Sequence, residues 1–161
     1  DRHIYQMAQP RVVDFVYERD AQDIHTLFNN NWYWLISSPD YSVEYMLVNR
    51  SPGHRHPEYN GKLHMKVLRD QQNEFLGYCS YYMKTDTEGT ILFVAVPSEH
   101  RGKRYAELLV RYALDRLKDL GAHEANLVTR VENFSAQALY KRVGFEEINR
   151  DQIYVYYRYQ F

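Results

Sequence analysis

The chain has 161 residues, is 45% hydrophobic and 25% charged, and carries a formal net charge of −1. That length and composition predict one globular domain that closes its own core without a staple. The balanced charge argues against a nucleic-acid or membrane-surface binder, and the single cysteine, Cys79, excludes a disulfide framework or a cysteine-built zinc site. No apolar run approaches the ~20 residues of a membrane span. Tyrosine is in surplus, at 16 residues.

The alternation of Val13, Phe15 and Tyr17 predicts a strand over Arg11–Tyr17. Residues 20–36 place Ile24, Leu27, Phe28, Trp32 and Leu35 at helical spacing, and Ser38-Pro39-Asp40 ends that helix. A short helix over Val43–Asn49 precedes a loop, Arg50–Gly61, rich in Pro, Gly and His. Two β-type runs, Lys62–Leu68 and Phe75–Lys84, read as a hairpin, and the apolar Thr90–Val96 as a buried strand ending at Pro97. A long helix follows, with a stripe of Ala106, Leu109, Val110, Ala113, Leu114, Leu117 and Leu120 and a stop at Gly121. Then come a strand at Glu124–Val131, a helix capped by Asn133 and closed by Gly144, and a hairpin of Phe145–Ile148 with Ile153–Phe161. The order β-α-α-β-β-β-α-β-α-β-β mixes hairpins with helical crossovers and predicts an α+β fold.

Charge is uneven along the chain. Arg101, Lys103, Arg104, Arg111, Arg116 and Lys118, against Glu107 and Asp115, make residues 101–118 +4. His100, Arg101, Lys103 and Arg104 crowd the start of the long helix, where the dipole already places about half a positive charge. Cations at that end suit a docked anion, which free backbone N–H groups would also bind, and Gly102 permits close backbone approach. The segment has neither the Gly-x-Gly-x-x-Gly of dinucleotide sites nor the Gly-Lys-Ser/Thr of a P-loop.

The stretches VAVPSEHRGKRYAELLVRYALDRLKDLGA and NFSAQALYKRVGF resemble the Gcn5-related N-acetyltransferases, the GNAT superfamily. The resemblance in topology spans nearly the whole chain, and in motif it spans residues 92–145. The family's Arg/Gln-x-x-Gly-x-Gly/Ala motif is matched at Arg101 and Ala106, with Arg104 where the central glycine falls. Asn-x-x-Ala-x-x-Leu-Tyr followed by Gly-Phe is matched at Asn133, Ala136, Leu139, Tyr140, Gly144 and Phe145. The resemblance implies a single acetyltransferase domain over residues 1–161, with a mixed, mostly antiparallel sheet of about seven strands and four helices. It implies acetyl-CoA as cosubstrate, no metal, and direct attack by a primary amine in a ternary complex. The strand edge at Phe93, Val94 and Val96 would pair with the pantetheine arm. Arg101, Gly102, Lys103, Arg104, Tyr105 and Ala106 would hold the pyrophosphate. Asn133 and Ala136 would flank the pantetheine, and Tyr140 would sit by the sulfur.

Acetyl transfer needs a deprotonated amine and a proton for the leaving thiolate. A phenol, with pKa about 10, is protonated at neutral pH and can supply that proton, so Tyr140 is the expected general acid. Some family members place a glutamate on the strand before the last helix. The position here is Val128, and a water relay to a backbone carbonyl or a tyrosine is expected instead. Acceptor choice is expected from Trp32, Tyr33, Tyr81 and Tyr156. Residues 1–60, with eight acids and five bases, suggest an acidic, aromatic cleft for a protein N-terminus, a lysine or a small cationic amine. His54-x-His56 lacks the partners of a metal site. The expected setting is cytoplasmic, without nucleic-acid or membrane partners, as monomer or homodimer. The alternative is a catalytically silent member that binds coenzyme A or a protein, motivated by Arg104 and the missing base.

Overall fold

A computed structural model describes residues 9–161. Strand β1 (Arg11–Asp14) is followed by helix α1 (Tyr17–Asn30), the one-turn helix α2 (Trp32–Leu35) and helix α3 (Val43–Asn49). Strands β2 (His64–Arg69), β3 (Phe75–Met83) and β4 (Glu88–Ala95) form a meander. Helix α4 (Tyr105–Asp119), strand β5 (Glu124–Arg130), helix α5 (Phe134–Val143) and the hairpin β6 (Glu146–Arg150) and β7 (Tyr154–Gln160) complete the chain. The seven strands lie in one sheet, ordered β1-β2-β3-β4-β5-β7-β6. All pairs are antiparallel except β4 with β5. The α+β class and the element order expected from the sequence are those observed, with one added helix.

That extra helix arises at Asn31. Its backbone leaves the helical region (φ −128°, ψ 23°), and its side-chain amide donates to the Leu27 carbonyl at 2.8 Å. The helix expected over residues 20–36 therefore splits into α1 and α2. The first strand also ends sooner than expected, at Asp14, because Tyr17 opens α1. There the Asp20 carboxylate accepts from the Val16 amide at 2.8 Å.

Both faces of the sheet are covered. On one, the α4 stripe of Leu109, Val110, Ala113, Leu114 and Leu117 packs with Leu139, Tyr140 and Val143 of α5. A Cβ on Gly89 would lie 2.8 Å from the Leu117 side chain, so this glycine lets α4 settle onto β4. On the other face, Ile24, Leu27 and Phe28 of α1 pack with Met46 and Leu47 of α3. Alternation along β3 divides its tyrosines between the two faces, Tyr78 under α1 and Tyr81 under α4.

A buried ion pair ties α1 to the sheet. Asp20 is fully buried and meets the Arg69 guanidinium of β2 at 2.7 Å. Arg19 and Arg69 donate to its carboxylate beside the Val16 amide. Burial pushes this carboxyl up, but the bonds from Arg19, Val16 and Arg69 outweigh burial and hold it below the usual carboxylate range. A lowered folded pKa contributes stability at neutral pH that is lost as pH falls through it. Asp20→Ala should therefore cost about 3–5 kcal/mol, read from urea unfolding at pH 7. Its stability should also depend less steeply on pH below about 4 than that of the wild type.

Candidate active site

The parallel pair β4–β5 is short. Glu88, Gly89 and Thr90 pair with Glu124, Ala125 and Asn126, and β4 then runs on to Ala95 and β5 to Arg130 without pairing with each other. Opposite β3, Ser80 faces Phe93 but Tyr81 faces Ile91, which leaves Leu92 as an extra, bulged residue on β4. The two strands splay, and a cleft opens between them. One arm, of about 930 Å³, reaches the start of α4 and the face of α5. The other, of about 470 Å³, lies beneath α2 and the loops at residues 36–41 and 52–56. Trp34, Leu35, Leu92, Phe93, Val128 and Thr129 line both arms, so the arms meet there.

The larger arm ends at the turn into α4. Gly102 takes φ 80° and Arg104, immediately before the helix, takes φ 65°. No side chain caps α4, so the N–H groups of its first turn are without intrahelical partners. A Cβ at Gly102 would meet nothing within 4 Å, so the cradle is open. The left-handed backbone at Arg104 explains why glycine suits this motif position, since glycine adopts that region without penalty. The Arg104 side chain is 75% exposed and pairs with Glu107 at 3.5 Å. Arg142 and Arg111 also hold Glu107, at 2.9 and 3.2 Å, and keep its carboxyl below the usual range.

Most of the residues expected to hold coenzyme converge on this arm. Phe93, Val94, Val96, Arg101, Gly102, Arg104, Tyr105, Ala106, Asn133, Ala136 and Tyr140 all line it. Lys103, exposed on the same turn, is not part of this lining. Phe93 offers its backbone, because its ring is buried edge-on against Phe28, 5.0 Å between centroids. The Arg101 side chain is engaged internally, donating to the Val96 carbonyl at 3.3 Å and to Asn31 Oδ1 at 2.6 Å. Asn133 caps α5, accepting from the Ala136 amide at 3.3 Å and donating to Thr129 Oγ1 at 3.3 Å.

Tyr140 forms part of the cleft wall. Its ring meets Phe145 and Tyr157 edge-on, at 5.8 and 5.6 Å. Burial, with a smaller contribution from Tyr157, pushes its phenol up to about 12. It is thus a packed core residue and a neutral proton donor at once.

Of the four residues expected to choose the acceptor, one, Tyr156, lines the smaller arm. Tyr81 is 1% exposed on the α4 face, stacked on His64 at 5.2 Å, and its neighbour Tyr82 lines the arm because successive strand residues alternate faces. Trp32 packs against the core beneath α1, and Trp34 reaches the cleft. Tyr33 stands at the rim, its hydroxyl donating to Glu132 and its ring under the Arg130 guanidinium at 4.2 Å. The arm is aromatic but not acidic. Asp40 is its one carboxylate among the described residues, and Arg55 pairs with it at 2.8 Å. Arg130, Tyr82 and Asp40 carry no motif, and nothing local in the sequence marks them as site residues. His54 and His56 turn to different carboxylates, Asp40 at 3.9 Å and Glu58 at 3.6 Å.

The sheet is thus splayed at its one parallel pair, with an uncapped helix start beside the gap. The model of the acetyltransferase (GNAT) family matches residues 21–145, and the chain belongs to that family. It is 38% identical over 73 residues to N-alpha-acetyltransferase 30 of Schizosaccharomyces pombe, covering 45% of this chain and 47% of that one. The chain spans about half the length of the curated relatives it matches. A spermidine N-acetyltransferase from Vibrio cholerae, solved with CoA and spermine, superposes with a TM-score of 0.76 at 24% identity. That match covers 94% of this chain and 95% of the other. The PaiA N-acetyltransferase from Thermoplasma acidophilum, solved with coenzyme A, shares the fold at TM-score 0.76 and 16% identity, over 95% of this chain and 99% of the other.

A non-glycine residue in the left-handed region costs about 1–2 kcal/mol, and glycine's extra chain entropy offsets about half of that. Arg104→Gly should therefore raise stability by up to about 1 kcal/mol, measured by thermal unfolding. A parallel titration with coenzyme A distinguishes the roles at this position. Unchanged affinity assigns the anion to the backbone, and a loss beyond tenfold assigns it to the guanidinium.

Proposed function

We propose that residues 1–161 act as one acetyltransferase domain that moves the acetyl group of acetyl-CoA to a primary amine by direct attack in a ternary complex. The observation that carries this is the continuous cleft through the splay. One arm has an open turn at an uncapped helix N-terminus among arginines, the other is aromatic, and a buried phenol stands on the wall. Family membership and the amine-acetylating names of the relatives support the same reading.

The chain fits coenzyme A at the α4 turn. The first-turn N–H groups of α4 and the guanidinium groups of Arg104 and Arg142 would receive its diphosphate. The unpaired edge of β4 would pair with the pantetheine amides as an added strand. Bound acetyl-CoA supplies the activated acyl group as a thioester. Tyr140 holds its proton at neutral pH and donates it to the departing sulfur. The six residues common to both arms include no titratable side chain, so the ammonium gives up its first proton through a water relay to a backbone carbonyl or a tyrosine; the second proton, shed as the amide forms, restores the Tyr140 phenol. The departure at Arg104, which motivated a catalytically silent reading, keeps the backbone path that glycine would take. Cytoplasmic location and a monomeric or homodimeric state belong to this proposal. Among the described residues, no helix is long and apolar enough to cross a membrane.

Tyr140→Phe should lower kcat by about 100-fold or more, the usual size of a general-acid effect, while coenzyme A affinity by calorimetry stays the same. Unchanged turnover would return Tyr140 to packing alone. The pH profile is the second test. With a peptide α-amine, of pKa about 8, kcat/KM should rise to a plateau above that pH. It should show no fall before about pH 11, because the acid titrates near 12.

A further inference from the structure

The smaller arm has the wrong charge for a polyamine. Its lining carries Arg55 and Arg130 against one carboxylate, Asp40, which Arg55 already neutralises. The ammonium groups left on a polyamine after one reacts would find no free acid among the described lining residues, and would face a guanidinium instead.

Arg130 is held in a fixed place. It rides over the Tyr33 ring at 4.2 Å and the Tyr154 ring at 5.6 Å, and its Nε donates to the Tyr33 carbonyl at 2.6 Å. Tyr33 is in turn held by Glu132. The Nη donors of Arg130 have no hydrogen-bond partner among the described residues. A stacked, oriented guanidinium with its fork unfilled suits a carboxylate, which it can bind through two parallel bonds. Arg130 also lies two residues beyond Val128, where the arms meet, on the same face of β5. That is a rise of roughly 7 Å, the reach between an amine and a carboxylate in one amino acid or in adjoining peptide residues.

Resting on the acetyltransferase reading above, we propose that Arg130 determines acceptor specificity by receiving a carboxylate carried on the same molecule as the reacting amine. The acceptor class is then an amine with a nearby carboxylate, either a free acidic amino acid or a peptide N-terminus followed by an acidic residue. Polyamines are selected against.

The test uses tetrapeptides alike except for Glu, Gln or Lys at the second position, together with free glutamate and spermidine. Calorimetric binding with coenzyme A present reads the specificity, and thiol release from acetyl-CoA reads the chemistry. The Glu peptide should bind about tenfold more tightly than the Gln peptide, with the Lys peptide and spermidine weaker still. In Arg130→Gln the Glu/Gln ratio should fall to about one. Arg130→Lys, which keeps the charge but not the fork, should retain part of it, and Arg130→Glu should invert the order toward Lys. Comparing glutamate with the Glu peptide identifies which source the arm prefers. Equal binding of all three peptides and glutamate, no binding of any, or a preference that survives Arg130→Gln overturns the proposal. Arg130-dependent binding without thiol release from any acceptor overturns the transferase reading and keeps this one.

Discussion

The site depends on a hydrogen-bond ladder that stops. Strands β4 and β5 pair at three positions and then part, helped by the bulge at Leu92. Backbone N–H and C=O groups need partners, so each strand beyond the fork presents an edge that a ligand's amides can satisfy. The long connections place the rest. Residues 96–104 lead from β4 into α4 and residues 131–133 from β5 into α5, and both helix starts line the gap. A fully zipped sheet of the same composition would have neither cleft nor cradle.

Across the mouth of the fork lies the segment from Asn31 to Leu35. Arg101 clasps it at Asn31, and Arg130 and Glu132 clasp it at Tyr33. Its Trp34 and Leu35 then face both arms. The break in the helix at Asn31 is therefore what brings Trp34 and Leu35 to the cleft. Continuous helix through residue 36 would carry Trp34 and Leu35 off along the α1 axis. The arginines divide between the two arms. Arg104 and Arg142 surround Glu107 by the proposed diphosphate, and Arg130 stands in the smaller arm.

Much of the fold was legible because burial leaves a period in the residues. The α4 stripe from Leu109 to Leu117 is the buried face observed, and Asn133 and Gly144 bound α5 as read. The motif residues Arg101 to Ala106 and Asn133 to Tyr140 reach the cleft, Lys103 excepted. What escaped was phase and partnership. Alternation in β3 shows that Tyr81 and Tyr82 face opposite ways but not which of them meets α4. The acid count over residues 1–60 suggested an acidic cleft. Asp20, however, is spent on Arg69 in the core and Glu44 on Tyr17 and His25 at the surface.

Sequence alone determined the α+β order, the basic turn before a long helix and the tyrosine on the last one, because periodicity, capping and dipole arguments are local. Tertiary structure decided the rest. Whether a charge is free or already paired depends on residues far apart in the chain, as with Asp40 and Arg55 or Arg130 and Tyr33. The tyrosine surplus divides on the same ground. Tyr78, Tyr81 and Tyr157 are core, Tyr140 is core and cleft wall, and Tyr82, Tyr154 and Tyr156 line the smaller arm. Which tyrosine goes where is set by the face of the sheet that each strand turns toward its helices, and only packing chooses that face.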